Sequence, residues 1–141
     1  MRFGKYRGKL LSYDAKTRTA MVHVIGLTDG LTGGIEATLM YGLGEDDRDT
    51  ELQLELDVMR DVFVEFENGD ENCPIIVGYA SHSKGAVVDV RRIRQKNIEL
   101  FAKANIQIET DTLNIKGSGT INVTSETLIN INAPTVAVNG Y

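Results

Sequence analysis

Carboxylates are the residues of this chain with the most chemistry to offer. Glu45, Asp46, Asp47, Asp49 and Glu51 crowd into seven residues, a density that would suit a hard cation such as calcium. The D-x-D-x-D-G spacing that wraps a calcium ion is missing, so a solvated acidic loop is the simpler reading. Asp61, Glu65 and Glu67 invite comparison with the paired acid and base of a hydrolase. They fall along a strand and its turn with no cleft in view, and a solvent face accounts for them better. His23 stands in an apolar strand, where a hydrogen-bonded structural imidazole is expected, and His82 is isolated. Cys73 is the single cysteine; it has no disulfide partner and no CxxC mate for zinc, so it reads as a core thiol or an inert surface thiol. The glycine-rich Asp29-Gly30-Leu31-Thr32-Gly33-Gly34 lacks the lysine and the following helix of a phosphate-cradling loop. No Ser/His/Asp or Cys/His grouping can be assembled, and the expectation is a protein with no active site, cofactor or metal.

Bulk composition narrows the remaining classes. The formal net charge of -5 argues against a protein whose task is to hold nucleic-acid phosphates, since that affinity comes from clustered Lys and Arg. There is no Trp, and the five Tyr and four Phe are scattered among acidic neighbours, so a stacking platform for single strands is not expected. No basic start precedes an apolar run, and no run is long enough to span a bilayer; neither signal peptide nor membrane span is predicted. At 141 residues the chain has room for one domain or two small ones.

The elements that must position these residues come in two styles. Residues 5–13 and 19–25 are β-rich runs around a polar turn, and residues 26–34 hold four glycines in nine positions, which reads as a loop. Residues 35–43 resume the strand pattern, and 44–50 form the acidic loop. Residues 51–67 alternate again, with Val62, Val64 and Phe66 on one face. Asn68-Gly69-Asp70 is a tight-turn sequence, and 74–79 is one more short strand. Five short strands with glycine-rich loops predict a small antiparallel barrel of the OB type over residues 1–84.

Residues 97–141 follow a different rule. Apolar-x-apolar pairs recur as Ile98/Leu100, Ile106/Ile108, Leu113/Ile115, Ile121/Val123, Ile129/Ile131 and Val136/Val138, with first members 8, 7, 8, 8 and 7 residues apart. Within a pair the period is two, so both side chains share one strand face. A row with two inward side chains cannot enclose a core alone. Three copies winding around one axis would stack the pairs along the centre and leave no strand edge open. A single-chain solenoid would need roughly twenty residues per coil, giving little more than two coils, which is short for a repeat array. An antiparallel meander is the third possibility. The intervening residues 85–96 form a linker or collar carrying Arg91, Arg92, Arg94 and Lys96, the densest basic cluster in the chain.

The stretch DVFVEFENGDENCPIIVG, residues 61–78, resembles the OB-domain signature of central spike proteins from the baseplates of contractile-tailed bacteriophages. A valine-rich strand runs to Phe66, then Gly69 and Asp70, then Pro74, an apolar triplet and Gly78. Type VI secretion spikes share the pattern. In that family the OB barrel precedes a trimeric intertwined β-helix, the order seen here, and the resemblance therefore implies an all-β homotrimer with a needle over 97–141.

What the resemblance implies is mechanical. The trimer would dock on tail hub and baseplate proteins, sit at the tip of the virion tail, and penetrate the host outer membrane without catalysis. A secretion-type spike and a soluble OB-fold binding module are the alternative readings. Some relatives carry a lysozyme domain between barrel and needle; the short linker here leaves no room for one. Several close the tip with His-x-His from three chains around iron. This tail ends in Asn132-Ala133-Pro134-Thr135-Val136-Ala137-Val138-Asn139-Gly140-Tyr141 without histidine, so no tip iron is expected, and closure falls to apolar packing or to a separate capping protein. The basic cluster reads as a solvated collar facing acidic neighbours of other protomers, as a dock for an acidic hub partner, or as a contact to lipid or nucleic-acid phosphate. Gly78 is expected where the backbone is closely approached.

Overall fold

The structure is a computed structural model that describes residues 1–51, 60–81 and 85–140. Five strands, β1 (Tyr6–Asp14), β2 (Thr19–Val24), β3 (Ile35–Leu39), β4 (Arg60–Phe66) and β5 (Pro74–Tyr79), close into a barrel in the order β1-β2-β3-β5-β4. The molecule is all-β, and its barrel has the build of an OB-fold. Among the described residues no helix is long and apolar enough to cross a membrane.

Closure depends on β1, which pairs with two partners at once. Gly8 lies opposite Val24 on one side and Val62 on the other. The register to β2 slips between Leu10 and Ser12, a bulge that lets a long strand bend from one neighbour to the next. One seam departs from the antiparallel expectation: β3 and β5 run parallel, with Thr38 opposite Ile75 and Leu39 opposite Ile76. The cause is topological. β4 runs antiparallel to β1 and β5 antiparallel to β4, while β2 is antiparallel to both β1 and β3, so the direction of β5 against β3 is fixed.

The interior of five closed strands is narrow, and the sequence fills it with small and branched side chains. Val22, Val24, Val62 and Val64 are fully buried, with Leu10, Ala20, Ala37, Phe66 and Ile76 around them. Ala20 and Ala37 stand directly opposite one another across β2 and β3. Burying each valine stabilises the barrel by about 1.5–3 kcal/mol. Gly34 enters β3 at φ +67, and a Cβ there would lie 2.4 Å from the Val22 carbonyl oxygen, so only glycine fits.

The chain divides into two compact units, Met1–Glu99 and Leu100–Tyr141. Among the described residues, everything from 85 onward is exposed and none of it pairs into a strand ladder. Neither a meander nor a single-chain coil is therefore present in residues 85–140, because both need ladder bonds within the chain. The expected needle is likewise not formed by this one chain.

Candidate functional site: the apolar rows and the barrel hairpin

The tail is irregular in name only. Its backbone bends sharply at Lys96, Lys103-Ala104, Asp111, Ser118-Gly119, Glu126-Thr127 and Pro134, so a corner recurs every seven to eight residues, in step with the apolar pairs. Local hydrogen bonds hold some of these corners. The Thr110 hydroxyl donates to the Thr112 carbonyl at 3.2 Å, and Ser125 Oγ accepts the backbone N–H groups of Thr127 and Leu128 at 3.3 and 3.2 Å. No residue in 100–140 is among the left-handed positions of the described chain, so the corners form without strain.

Each row repeats the same presentation of its pair. The first members (Ile98, Ile106, Leu113, Ile121, Ile129, Val136) are 46–56% exposed, and the second members (Leu100, Ile108, Ile115, Val123, Ile131, Val138) 65–92% exposed. The two ranges do not overlap, so every row exposes its second member more than its first. Polar side chains take the other face: Gln107 donates to Glu109 across the residue between them, opposite Ile106 and Ile108. Monomeric protein surfaces rarely expose so large a set of aliphatic side chains.

The barrel hairpin shows how its signature residues work. Phe66 is buried and meets the Tyr6 ring edge-on, with centroids 5.4 Å apart and planes at 80°. A short 3-10 turn (Glu67–Gly69) follows, with Asn68 at φ 52 and Gly69 at φ 74. A Cβ on Gly69 would meet the Phe3 ring at 2.9 Å, and the Gly69 carbonyl accepts the Arg2 N–H at 2.8 Å, so the N-terminal segment closes over the turn. The Asp70 carboxylate accepts the Asn72 N–H at 2.9 Å, and that bond holds it below its ordinary pKa. Pro74 starts β5 opposite Phe66. Gly78 corrects the expectation: a Cβ there would meet nothing within 4 Å. It lies instead opposite Phe63, beside the slip in the β4–β5 register, where a glycine eases the irregular backbone.

Two carboxylate readings need revision. Asp61 does not face solvent; its side chain is 10% exposed, paired with Lys9 and lying 3.7 Å from Arg7. Arg7 in turn donates to the Ser81 carbonyl at 3.0 and 3.1 Å and lies over the Phe63 ring. The cluster joins β1, β4 and the strand exit at residue 81. Glu67 is exposed, and Glu65 is half-buried and paired with Lys5 at 2.6 Å. In the acidic loop, the organiser is Arg18. Held at φ 55, its guanidinium donates to Glu51 Oε1 at 2.9 Å, to the Thr50 carbonyl at 3.0 Å and to the Asp47 carbonyl at 3.2 Å. Tyr13 donates to the same Glu51 oxygen at 2.6 Å. Burial, then that hydrogen bond to a carboxylate, pushes the Tyr13 phenol up to about 12.

The remaining chemical residues are quiet. His23 Nδ1 shares a 2.6 Å hydrogen bond with Thr28 Oγ1, whose oxygen also accepts the Val24 N–H, the structural imidazole expected. Cys73 is exposed, and partial desolvation beside Asp70 pushes its thiol up, away from the reactive thiolate. Arg91, Arg92, Arg94 and Lys96 are all exposed. His82 and Tyr141 lie outside the described residues, as does the 52–59 part of the alternating run. Sequence reasoning missed Arg18, Asp61 and Phe3 as organising residues; only the basic residue inside a polar turn hinted at the first. No protein-family model, curated protein or solved structure matches this chain.

Proposed function

We propose that three copies of this chain assemble around a common axis as the non-enzymatic, membrane-piercing central spike of a contractile phage tail or tail-like particle. The barrels dock on the tail hub, and the rows of residues 97–141 supply the needle. The observation that carries this reading is the coincidence of corners and apolar pairs at one spacing, in a segment with no ladder partner in its own chain. Two further copies provide the missing partners. Each chain then contributes one side of a triangular prism per row, every backbone edge is paired to a neighbouring chain, and the aliphatic pairs become a shared core.

Stiffness is the function such a core supports. A prism whose strands lie across its axis, tied by ladder bonds and closed on itself, passes an axial push from layer to layer without an edge at which to peel. The resemblance of residues 61–78 to phage spikes supplies the biological setting, the tip of a virion tail and the host outer membrane. Light scattering on the full chain tests the assembly: a mass near three times 15.5 kDa is expected, and a monomer overturns it. Particle assembly tests the role. Ile121→Asp, which brings three carboxylates together on the axis at a cost of several kcal/mol, should yield tails that lack the spike and do not infect; infectious particles carrying this variant would refute the reading.

A further inference from the structure

The regular corners do not begin where the apolar pairs do. One row earlier the backbone bends again, at Val88-Asp89, seven to eight residues before Lys96, with Asp89 at φ 58. Stepping back seven residues from Ile98 and Leu100 reaches Arg91 and Ile93. Ile93 is 69% exposed, inside the range of the second members, while Val90, eight residues before Ile98, is 53% exposed, inside the range of the first. The corner sets the register, because every later row puts its first member two residues past its corner, and two residues past Asp89 stands Arg91. Arg91 therefore occupies a first-member position, and it is the one charged residue in a series otherwise made of Ile, Leu and Val.

We infer that the needle starts at residue 89 rather than 97, and that its first row brings three Arg91 side chains together on the threefold axis as a binding site for a tetrahedral oxyanion such as inorganic phosphate. This rests on the trimeric reading above. The chemistry follows from symmetry. Three guanidinium groups facing one axis repel one another, and Arg stays charged at any working pH. An anion on the axis removes that repulsion. Phosphate has a threefold axis of its own and presents three equivalent oxygens around it, one to each planar fork, through charge-assisted hydrogen bonds. Arg92, the next residue along, points to the opposite face by the alternation of the strand and belongs to the outer surface. In the single chain Arg91 borders a cleft that Glu45 and Glu51 also line.

The test uses the purified full chain, equilibrated with radiolabelled inorganic phosphate at fixed ionic strength, with its mass measured by light scattering in the same buffer. About one phosphate per three chains is expected, with a melting temperature roughly 5 °C higher in saturating phosphate than in chloride. Arg91→Leu should remain trimeric, take up no phosphate, and melt at or above the wild type in chloride, because three charges give way to a completed apolar row. Arg92→Leu should keep the uptake. A trimer that binds no phosphate overturns the site and leaves the spike reading intact; a monomeric wild type removes the shared axis and both proposals with it. Loss of uptake in Arg92→Leu, or a fall in the chloride melting temperature of Arg91→Leu, also overturns the site, the latter by assigning Arg91 to Glu45 or Glu51 of its own barrel.

Discussion

The barrel and the tail use the same aliphatic alphabet to opposite ends. In β2 and β4, Val22, Val24, Val62 and Val64 vanish entirely inside their own chain, whereas no described residue from 85 to 140 is buried. Both regions alternate apolar and polar residues with period two. What separates them is how far a strand runs before the chain bends, and whether the next strand lies beside it. β1 and β2 return on each other across a short turn, so each covers the other's edge. The rows of the tail bend and move on, and their pairs stay open to whatever arrives from another molecule. Whether a strand is covered by its own chain is thus written in connection geometry more than in composition.

The sharpest way to break this contrast is to place a charge in each region. Val64→Asp puts an unpaired carboxylate in the closed core and is expected to cost more than about 4 kcal/mol, unfolding the barrel. Ile121→Asp should leave the barrel folded and abolish only assembly. Circular dichroism and light scattering on both variants separate the two losses; loss of barrel structure in the Ile121 variant would contradict the division.

Truncation after Lys96 is the next largest. Removing the rows should leave a folded barrel of reduced mass whose melting is independent of protein concentration, while the full chain melts at a temperature that rises with concentration. Equal concentration dependence in both would move the association surface into the barrel. Smaller again is Asp61→Asn. It leaves Lys9 and Arg7 without their carboxylate, and since both cations are partly solvated the expected loss is about 1–3 kcal/mol, read as a lower urea midpoint in the barrel transition alone.

The smallest effect is one of pH. Tyr13 titrates in the unfolded chain near its ordinary 10.0 and in the barrel at about 12, so the folded state favours the neutral phenol. The stability this provides is complete below pH 10.0 and is lost as pH rises from there toward about 12. Melting temperatures across that window should fall less steeply in Tyr13→Phe than in the wild type.

The parts legible in the sequence were those governed by short-range pattern. Val62, Val64 and Phe66 declare a buried face by alternation, Asn68-Gly69 declares a left-handed turn, and the tail declares its rows by spacing. The parallel seam between β3 and β5 was not legible, because it follows from where β4 returns and not from any residue in β3. Asp61 looked like any outward carboxylate. Its burial beside Lys9 and Arg7 exists only once β1 has closed against β4. Arg91 was read as one more member of a basic cluster, since a search for apolar pairs passes over a row whose first place is charged; the row proposed for it rests on the backbone corners.

The corner spacing bears on how such a chain can lengthen. In the trimer proposed above, each row would advance along the shared axis by one strand spacing, about 4.8 Å. Insertion or loss of seven or eight residues changes reach by one such step and leaves every other layer as it was. Insertion of an odd few turns the following strand inside out, setting Thr and Asn on the axis and Ile in the water. Such a needle would be a ruler with discrete marks, open to lengthening by whole-row duplication and closed to intermediate sizes.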